Sequence, residues 1–338
     1  MLDFEQIFDK SSPGVVAASY SRDAVLPKPF AFVADPLSLE GQRVIELAPG
    51  YKLRVSDKEE IKFIKKTIKE LFGQHFGGGI WETQRPKSGK GAYKELQERH
   101  WRYFSIEFEG ESEDWRTLER ALSLSKSDLQ IAFVLSTVQY DDLVLPTCVY
   151  RPPSLFQSLS YLSSGSHTSE GCVKSISPAD GEDISSIFLA LKSYDHKIVD
   201  LQSAFKLLFE LKDLPHFSPL QILGYFAILE SILTHQPNPE DRYDSITRQI
   251  TNKIALLNRR WHTSLNYKNF GDVSHDKLWS KMYSYRSAIA HGAKPDFSSK
   301  LSLLNNAKSA NGLIKAAVVG SIRHCLIEPQ LLADLHNC

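Results

Sequence analysis

"YRSAIAHG", residues 285–292, closes a run that otherwise reads as one amphipathic helix among several. Arg286 and His291 lie five positions apart in it, and Gly292 follows at once. Five residues advance about 500° around a helix, so the two side chains differ in direction by about 140°. They point together only if the helix loosens, or if each faces a different surface of one cleft. Gly292 offers the loosening, because glycine just past a helix end takes the left-handed conformation cheaply. His291 then falls in the last turn, where the helix dipole favours an imidazolium. The apolar seam Leu278, Met282, Tyr285 and Ile289 leaves Arg286 beside it rather than opposite. From these residues alone two readings are open: a rim arginine with a capping histidine, or two halves of a site.

The chain around this stretch is helical. "DHKIVDLQSAFKLLFELKDL" (195–214) is amphipathic and stops before Pro215. "SPLQILGYFAILESILTHQ" (218–236) opens with Ser218 as N-cap and Pro219 at the first helical position, and is apolar on nearly every side, as a central bundle helix should be. "YDSITRQITNKIALLN" (243–258) is a third helix, "SHDKLWSKMYSYRSAIAHG" (274–292) a fourth, and "SKLSLLNNAKSANGLIKAAVVGSIRHCLIE" (299–328) a long fifth with Asn311-Gly312 as its candidate break. The expectation is an all-α bundle over residues 184–338.

The first half alternates strand and helix signals. "PFAFVAD" (29–35) and "RVIELAPGYKLRV" (43–55) read as strands, the latter pair turning at Pro49-Gly50. "SDKEEIKFIKKTIKELFG" (56–73) carries a capping box, Ser56 with Glu59, and apolar Ile61, Ile64, Ile68 and Leu71 at helical spacing. "WRYFSIEFE" (101–109) alternates as a half-buried strand, a helix follows over 112–123, and "LQIAFVLS" and "LVLPTCVY" are strand-like. The fold class is therefore α+β, with a mixed α+β domain over 1–157 ahead of the helical bundle. "GQHFGGGIWETQRPKSGKGA" (73–92) tempts as a phosphate-cradling loop, but Gly89-Lys90 is followed by Gly91 and not by Ser or Thr, so a flexible solvated loop is expected. The serine- and glycine-rich stretch 158–171, with "SPADGED" after it, reads as a linker over 158–183.

Bulk numbers exclude little. The 338 residues hold 40 Lys plus Arg against 40 Asp plus Glu, and the 18 basic and 13 acidic residues from Ile184 onward give that half a surplus of only +5. Cys148, Cys172, Cys325 and Cys338 lack zinc or disulfide spacing, so reduced thiols are expected, with Cys325 packing a helix. No basic-then-apolar leader opens "MLDFEQIFDK", and no run reaches the roughly 18 apolar residues of a membrane span. A soluble cytoplasmic protein without membrane, metal or cofactor is the expectation. The first half shows no convergent nucleophile or acid pair.

The helix order closing on Arg286–Ser287 and His291–Gly292 resembles the HEPN (higher eukaryotes and prokaryotes nucleotide-binding) domain. Its signature is an Arg and a His separated by a short spacer, here four residues. "GYFAILESILTHQ" is similar to the family's second helix, with Glu230 in its middle, and "SITRQITNKIALLN" to the next. "LWSKMYSYRSAIAHGAKPDF" resembles the signature helix of the Apea-like branch, prokaryotic proteins implicated in defence against bacteriophage. The resemblance covers about residues 184–338. Over the first half it extends only to the pattern of "LAPGYKLRVSDKEEI" and "RHWRYFSIEFEG". Ser287 stands where many catalytic relatives carry a larger polar residue, and Ala293 replaces the Tyr of some toxin-type relatives.

The resemblance implies a metal-independent endoribonuclease of abortive-infection type, with RNA as substrate, a homodimer through the bundle and a phage-derived trigger acting on the first domain. It implies Arg286 and His291 as catalytic residues, with Glu230 orienting one of them. Arg242, Arg248 and Lys253 are candidates for an RNA path. RNA brings its own nucleophile, the 2′-hydroxyl, so a site needs only proton transfer and charge stabilisation. Histidine, with a reference pKa of about 6.5, suits the first, and arginine's planar fork the second. The alternative is a HEPN-like module that binds RNA or dimerises without cutting.

Overall fold

A computed structural model describes residues 16–19, 28–33, 35, 37–72, 82–86, 93–98, 102–108, 115–140, 143–150, 173–214, 218–236 and 245–337. The chain is mixed α+β and divides into two compact units, Met1–Lys192 and Ser193–Cys338.

The first unit is built on a seven-stranded antiparallel sheet in the order β1-β10-β9-β2-β8-β5-β4. Its strands are β1 (Val16–Ser19), β2 (Phe30–Val33), β4 (Val44–Ala48), β5 (Tyr51–Val55), β8 (Phe104–Phe108), β9 (Ile131–Tyr140) and β10 (Leu143–Tyr150). The β4–β5 hairpin turns at Pro49-Gly50 as its residues suggest, with Gly50 at φ 82°. β8 departs from its reading as half-buried. It lies between β2 and β5, and Phe104, Ser105, Ile106 and Phe108 are all buried, with only Glu107 reaching the surface. Ser105 tolerates this because its hydroxyl pairs with that of Ser56 at 2.7 Å.

That pairing takes Ser56 away from the helix it was expected to cap. In α1 (Lys58–Phe72) the box is shifted by one residue: Asp57 Oδ1 accepts the amides of Glu59 and Glu60, and Glu60 Oε2 accepts that of Asp57. Arg54 of β5 adds a two-pronged bond to the buried Glu60 and one to Glu107, tying helix to sheet. The expected loop over 73–92 also contains structure, since β6 (Glu82–Pro86) pairs antiparallel with β7 (Tyr93–Glu98). The rest of that loop and the serine-rich stretch 158–171 lie outside the described residues.

A second helix, α2 (Trp115–Leu124), follows β8, and the expected start of the bundle at Ile184 falls inside α3 (Pro178–Ser193), which belongs to the first unit. Three contacts hold it there. β11 (Lys174–Ile176), just upstream, pairs parallel with β3 (Leu37–Leu39). Lys174 meets the buried Asp35 at 2.8 Å. Gly181 passes so close to β4 that a Cβ would sit 2.6 Å from both the Glu46 carbonyl oxygen and Ile45 Cγ2. The cue that misled is compositional: "SPADGED" looks like a turn, yet Pro178 starts a helix and Ser177 and Asp180 cap it reciprocally.

The second unit comprises α4 (Gln202–Lys212), α5 (Leu220–Leu233), α6 (Ile246–Asn258), α7 (His275–Ala290), α8 (Ala307–Ile327) and α9 (Pro329–Asn337). α5 packs against all five of the others, which its all-round apolar sequence anticipates. Residues 195–201, expected as the beginning of a helix, form turns instead, with Tyr194 donating its hydroxyl to the Val199 carbonyl at 2.8 Å. α8 begins only after Asn306, which caps Ser309, and it runs unbroken through Asn311-Gly312. Asn311 is buried and its amide donates to Gln221 of α5 at 3.4 Å, so packing overrides the local tendency to break. Cys325 is buried in α8, its sulfur 3.2 Å from the Tyr194 hydroxyl. Among the described residues no helix is long and apolar enough to cross a membrane.

Gly181→Ala should destabilise the protein by about 1–3 kcal/mol. The helix-propensity gain of up to about 1 kcal/mol opposes this, but the new methyl meets a carbonyl oxygen that cannot yield. A urea melt of the full chain, followed through the tryptophans, measures the difference.

Candidate functional site

α7 carries Arg286 and closes at His291. At its start His275 is fixed on both nitrogens. Nε2 lies 2.9 Å from the Thr251 carbonyl and Nδ1 2.9 Å from the Tyr267 hydroxyl, which also accepts the Trp279 indole N–H at 3.3 Å. A carbonyl only accepts, so Nε2 carries the proton and Nδ1 accepts from Tyr267. Beside it a cavity of about 570 Å³ is lined by Ser264, Leu265, Asn266, Tyr267, Lys268, Gly271, Asp272 and Val273. Neither Tyr267 nor His275 stands in a motif, and the only cue is His275 and Trp279 at i,i+4.

At the other end the helix closes as Gly292 predicts. Gly292 has φ 69°, its N–H bonds to the Ile289 carbonyl, and the Ala293 N–H bonds to that of Ala288 at 2.8 Å. This is a Schellman motif with Gly292 at C′ and His291 as the terminal cap residue. A Cβ on Gly292 would meet nothing within 4 Å, so backbone conformation, not space, demands the glycine. The cap is made entirely of backbone bonds. The expectation that the His291 side chain caps the helix is therefore not needed, and His291 is exposed. Phe297, edge-on to the buried Tyr285 at 5.2 Å, folds the following loop back onto the bundle. Within that loop Asp296 accepts bonds from Ser298 and Ser299, which pull its carboxyl down to about 2.

Arg286 is brought to Glu230, not to His291. Its Nη2 lies 3.5 Å from Glu230 Oε1, and its guanidinium sits over the Tyr283 ring at 5.5 Å. Tyr283 in turn meets Phe226 of α5 edge-on at 5.8 Å. Phe226 and Glu230 are one turn apart on α5, as Tyr283 and Arg286 are on α7, so the two helices share an aromatic rung and an ionic rung. The ionic rung is an ion pair rather than a hydrogen bond: among the described residues neither Arg286 Nε nor Glu230 Oε1 has a hydrogen-bonding partner. Glu230 lies in the last turn of α5 and not in its middle. Burial pushes its carboxyl above the ordinary value, and Arg286 pulls the other way.

The buried side chains of α7 (Leu278, Trp279, Met282, Tyr285) define its core face. At about 100° per residue, Arg286 lies on the flank of that face and His291 nearly opposite it. Within one chain they diverge, as the spacing requires. The exposed side toward His291 carries Lys277, Ser280 and Ser284. The candidate RNA-path residues separate. Arg248 is exposed on the first turn of α6, and Arg242 lies outside the described residues. Lys253 is no surface residue: it is buried and donates to the Leu233 carbonyl at 2.9 Å, the end of α5. Among the described residues no group of three or more His, Cys, Asp and Glu is placed to hold a metal ion.

No family model, curated protein or solved structure matches this chain.

Arg286→Met should cost about 1 kcal/mol at neutral pH and less in acid. Glu230, already raised by burial, would lose the one charge that lowers it. A raised carboxyl destabilises the fold only where the unfolded chain would ionise it, so the deficit appears above the ordinary carboxylate range and fades below it. Urea midpoints of wild type and variant at about pH 7 and about pH 4 measure this.

Proposed function

We propose that this chain is a metal-independent endoribonuclease of the Apea-like HEPN kind, acting in anti-phage defence as a homodimer. The observation that carries this reading is the exposed His291 on a backbone-closed helix end, with Arg286 held on the flank of the same helix by Glu230. The two residues diverge, so one copy does not form a complete site. A second copy packed along the exposed face of α7 supplies what is missing. Ser280 and Ser284 are small, so two such helices can approach closely about a two-fold axis.

In the proposed step the 2′-oxygen attacks the adjacent phosphorus and the P–O5′ bond breaks. A 2′,3′-cyclic phosphate and a free 5′-hydroxyl result. One His291 imidazole takes the 2′-proton, and an imidazolium, from the partner copy, donates one to the departing 5′-oxygen. Arg286 bears the charge that gathers on the phosphorane, and Glu230 sets its resting position before RNA binds. The first unit carries the response to the phage.

A second reading is favoured by the ionic rung itself. Arg286 joins α5 to α7, and a purely structural arginine would leave a module that dimerises or holds RNA without cutting it. One experiment separates the two. Purified protein with mixed RNA in EDTA should yield 2′,3′-cyclic ends and spare DNA, which lacks the attacking hydroxyl. His291→Ala should lose on the order of 10²–10⁴-fold in rate with the melting curve and sedimentation unchanged. Arg286→Lys should fail although it keeps the charge, because an ammonium cannot make the two-pronged contact. Full activity in His291→Ala would move the chemistry elsewhere.

A further inference from the structure

We propose that Glu230 is a proton-operated latch on Arg286: ionised, it occupies the guanidinium and weakens phosphate binding, and on taking up one proton it releases the arginine to an RNA phosphodiester. The inference rests on the reading of Arg286 as a phosphate contact and adds how that contact is governed.

Four observations converge on it. Glu230 Oε1 and Arg286 Nη2 are 3.5 Å apart without a hydrogen bond, so the carboxylate holds the arginine by charge and not by a directed two-pronged bond. The guanidinium has a second support that does not depend on that charge, since Tyr283 lies beneath it at 5.5 Å and is itself braced by Phe226. The carboxylate stands in the last turn of α5, where the negative end of the helix dipole disfavours it. It is also half-buried, and burial is the largest influence on its titration, raising it.

Among the described residues, Arg286 is the charged group that acts on the Glu230 carboxyl. Lys253 of α6 is committed to the Leu233 carbonyl. The exposed His291 is common to every protein compared below, so the comparison is made between variants at each pH.

The competition has a simple consequence. A phosphate must displace a resident carboxylate, and that displacement weakens its binding by the strength of the pair. Neutralising Glu230 restores the loss. For a partly exposed pair this is a factor of roughly 2–5 in affinity.

The test uses the full chain and a short 2′-O-methyl RNA oligonucleotide, which has no free 2′-hydroxyl and stays intact. Dissociation constants are measured at fixed low salt from about pH 8 to about pH 5 for wild type, Glu230→Gln, Glu230→Asp and Arg286→Met. Glu230→Gln should bind roughly 2–5 times more tightly than wild type at the alkaline end. The ratio should fall toward one as the pH drops, since wild type then carries its own proton. His291 is unchanged in both proteins, so the ratio isolates Glu230. Glu230→Asp, which keeps the charge but withdraws it by one methylene, should lie between them and covers the case in which the amide variant folds poorly. Equal affinity of Glu230→Gln and wild type throughout, or weaker binding by Glu230→Gln, overturns the latch. If Arg286→Met binds as tightly as wild type, Arg286 is not a phosphate contact and the reading beneath the latch fails instead.

Discussion

Glu230 is the one charged side chain in a helix that is otherwise packed on nearly every side. α5 reads "LQILGYFAILESIL" and touches all five neighbouring helices. A carboxylate there is costly without a partner, and the partner it finds is Arg286 of α7. This pairing fixes how α7 turns about its axis. With Leu278, Trp279, Met282 and Tyr285 facing the core and Arg286 drawn onto the flank, His291 has no choice but to face solvent.

The helix ends around this pair are handled in two different ways. The carbonyl end of α5 receives a buried cation, Lys253, whose ammonium lies 2.9 Å from the Leu233 oxygen. That is the favourable sign for a helix C-terminus, and it explains why a lysine expected on a surface path is found inside. The end of α7 is closed by the amides of Gly292 and Ala293 alone. Among the described residues no hydrogen bond engages the imidazole, and His291 stays exposed.

How far the sequence could be read depended on whether a feature was local. The helices of the bundle, the β4–β5 hairpin and the Schellman end of α7 follow from periodicity and from single glycines, which act within a few residues. Local pattern fails where a distant partner intervenes. Ser56 has the setting of a cap but is taken by Ser105, 49 positions along the chain. Asn311-Gly312 is a candidate break, yet Gln221 of α5 holds Asn311 inside the helix. The boundary at Ile184 missed that Gly181 lets α3 settle against β4, which no local pattern reveals. The Arg–His spacing gave the divergence of the two side chains, because that is helical arithmetic. It could not give the ion pair, because Glu230 lies 56 residues upstream.

The ionic rung also bears on which of its two members is the more informative. Arginine stays charged at any accessible pH, so Arg286 is a constant in the site. Among the described residues, burial, the dipole of its own helix and the absence of a hydrogen bond to its Oε1 favour the neutral form of Glu230, and Arg286 opposes them. A carboxyl poised in this way stabilises the fold least when it is ionised and satisfies the arginine best in that same state. The two demands oppose each other, and a purely structural bridge would gain from a hydrogen-bonded geometry that relieved the conflict. At 3.5 Å the pair leaves it unrelieved.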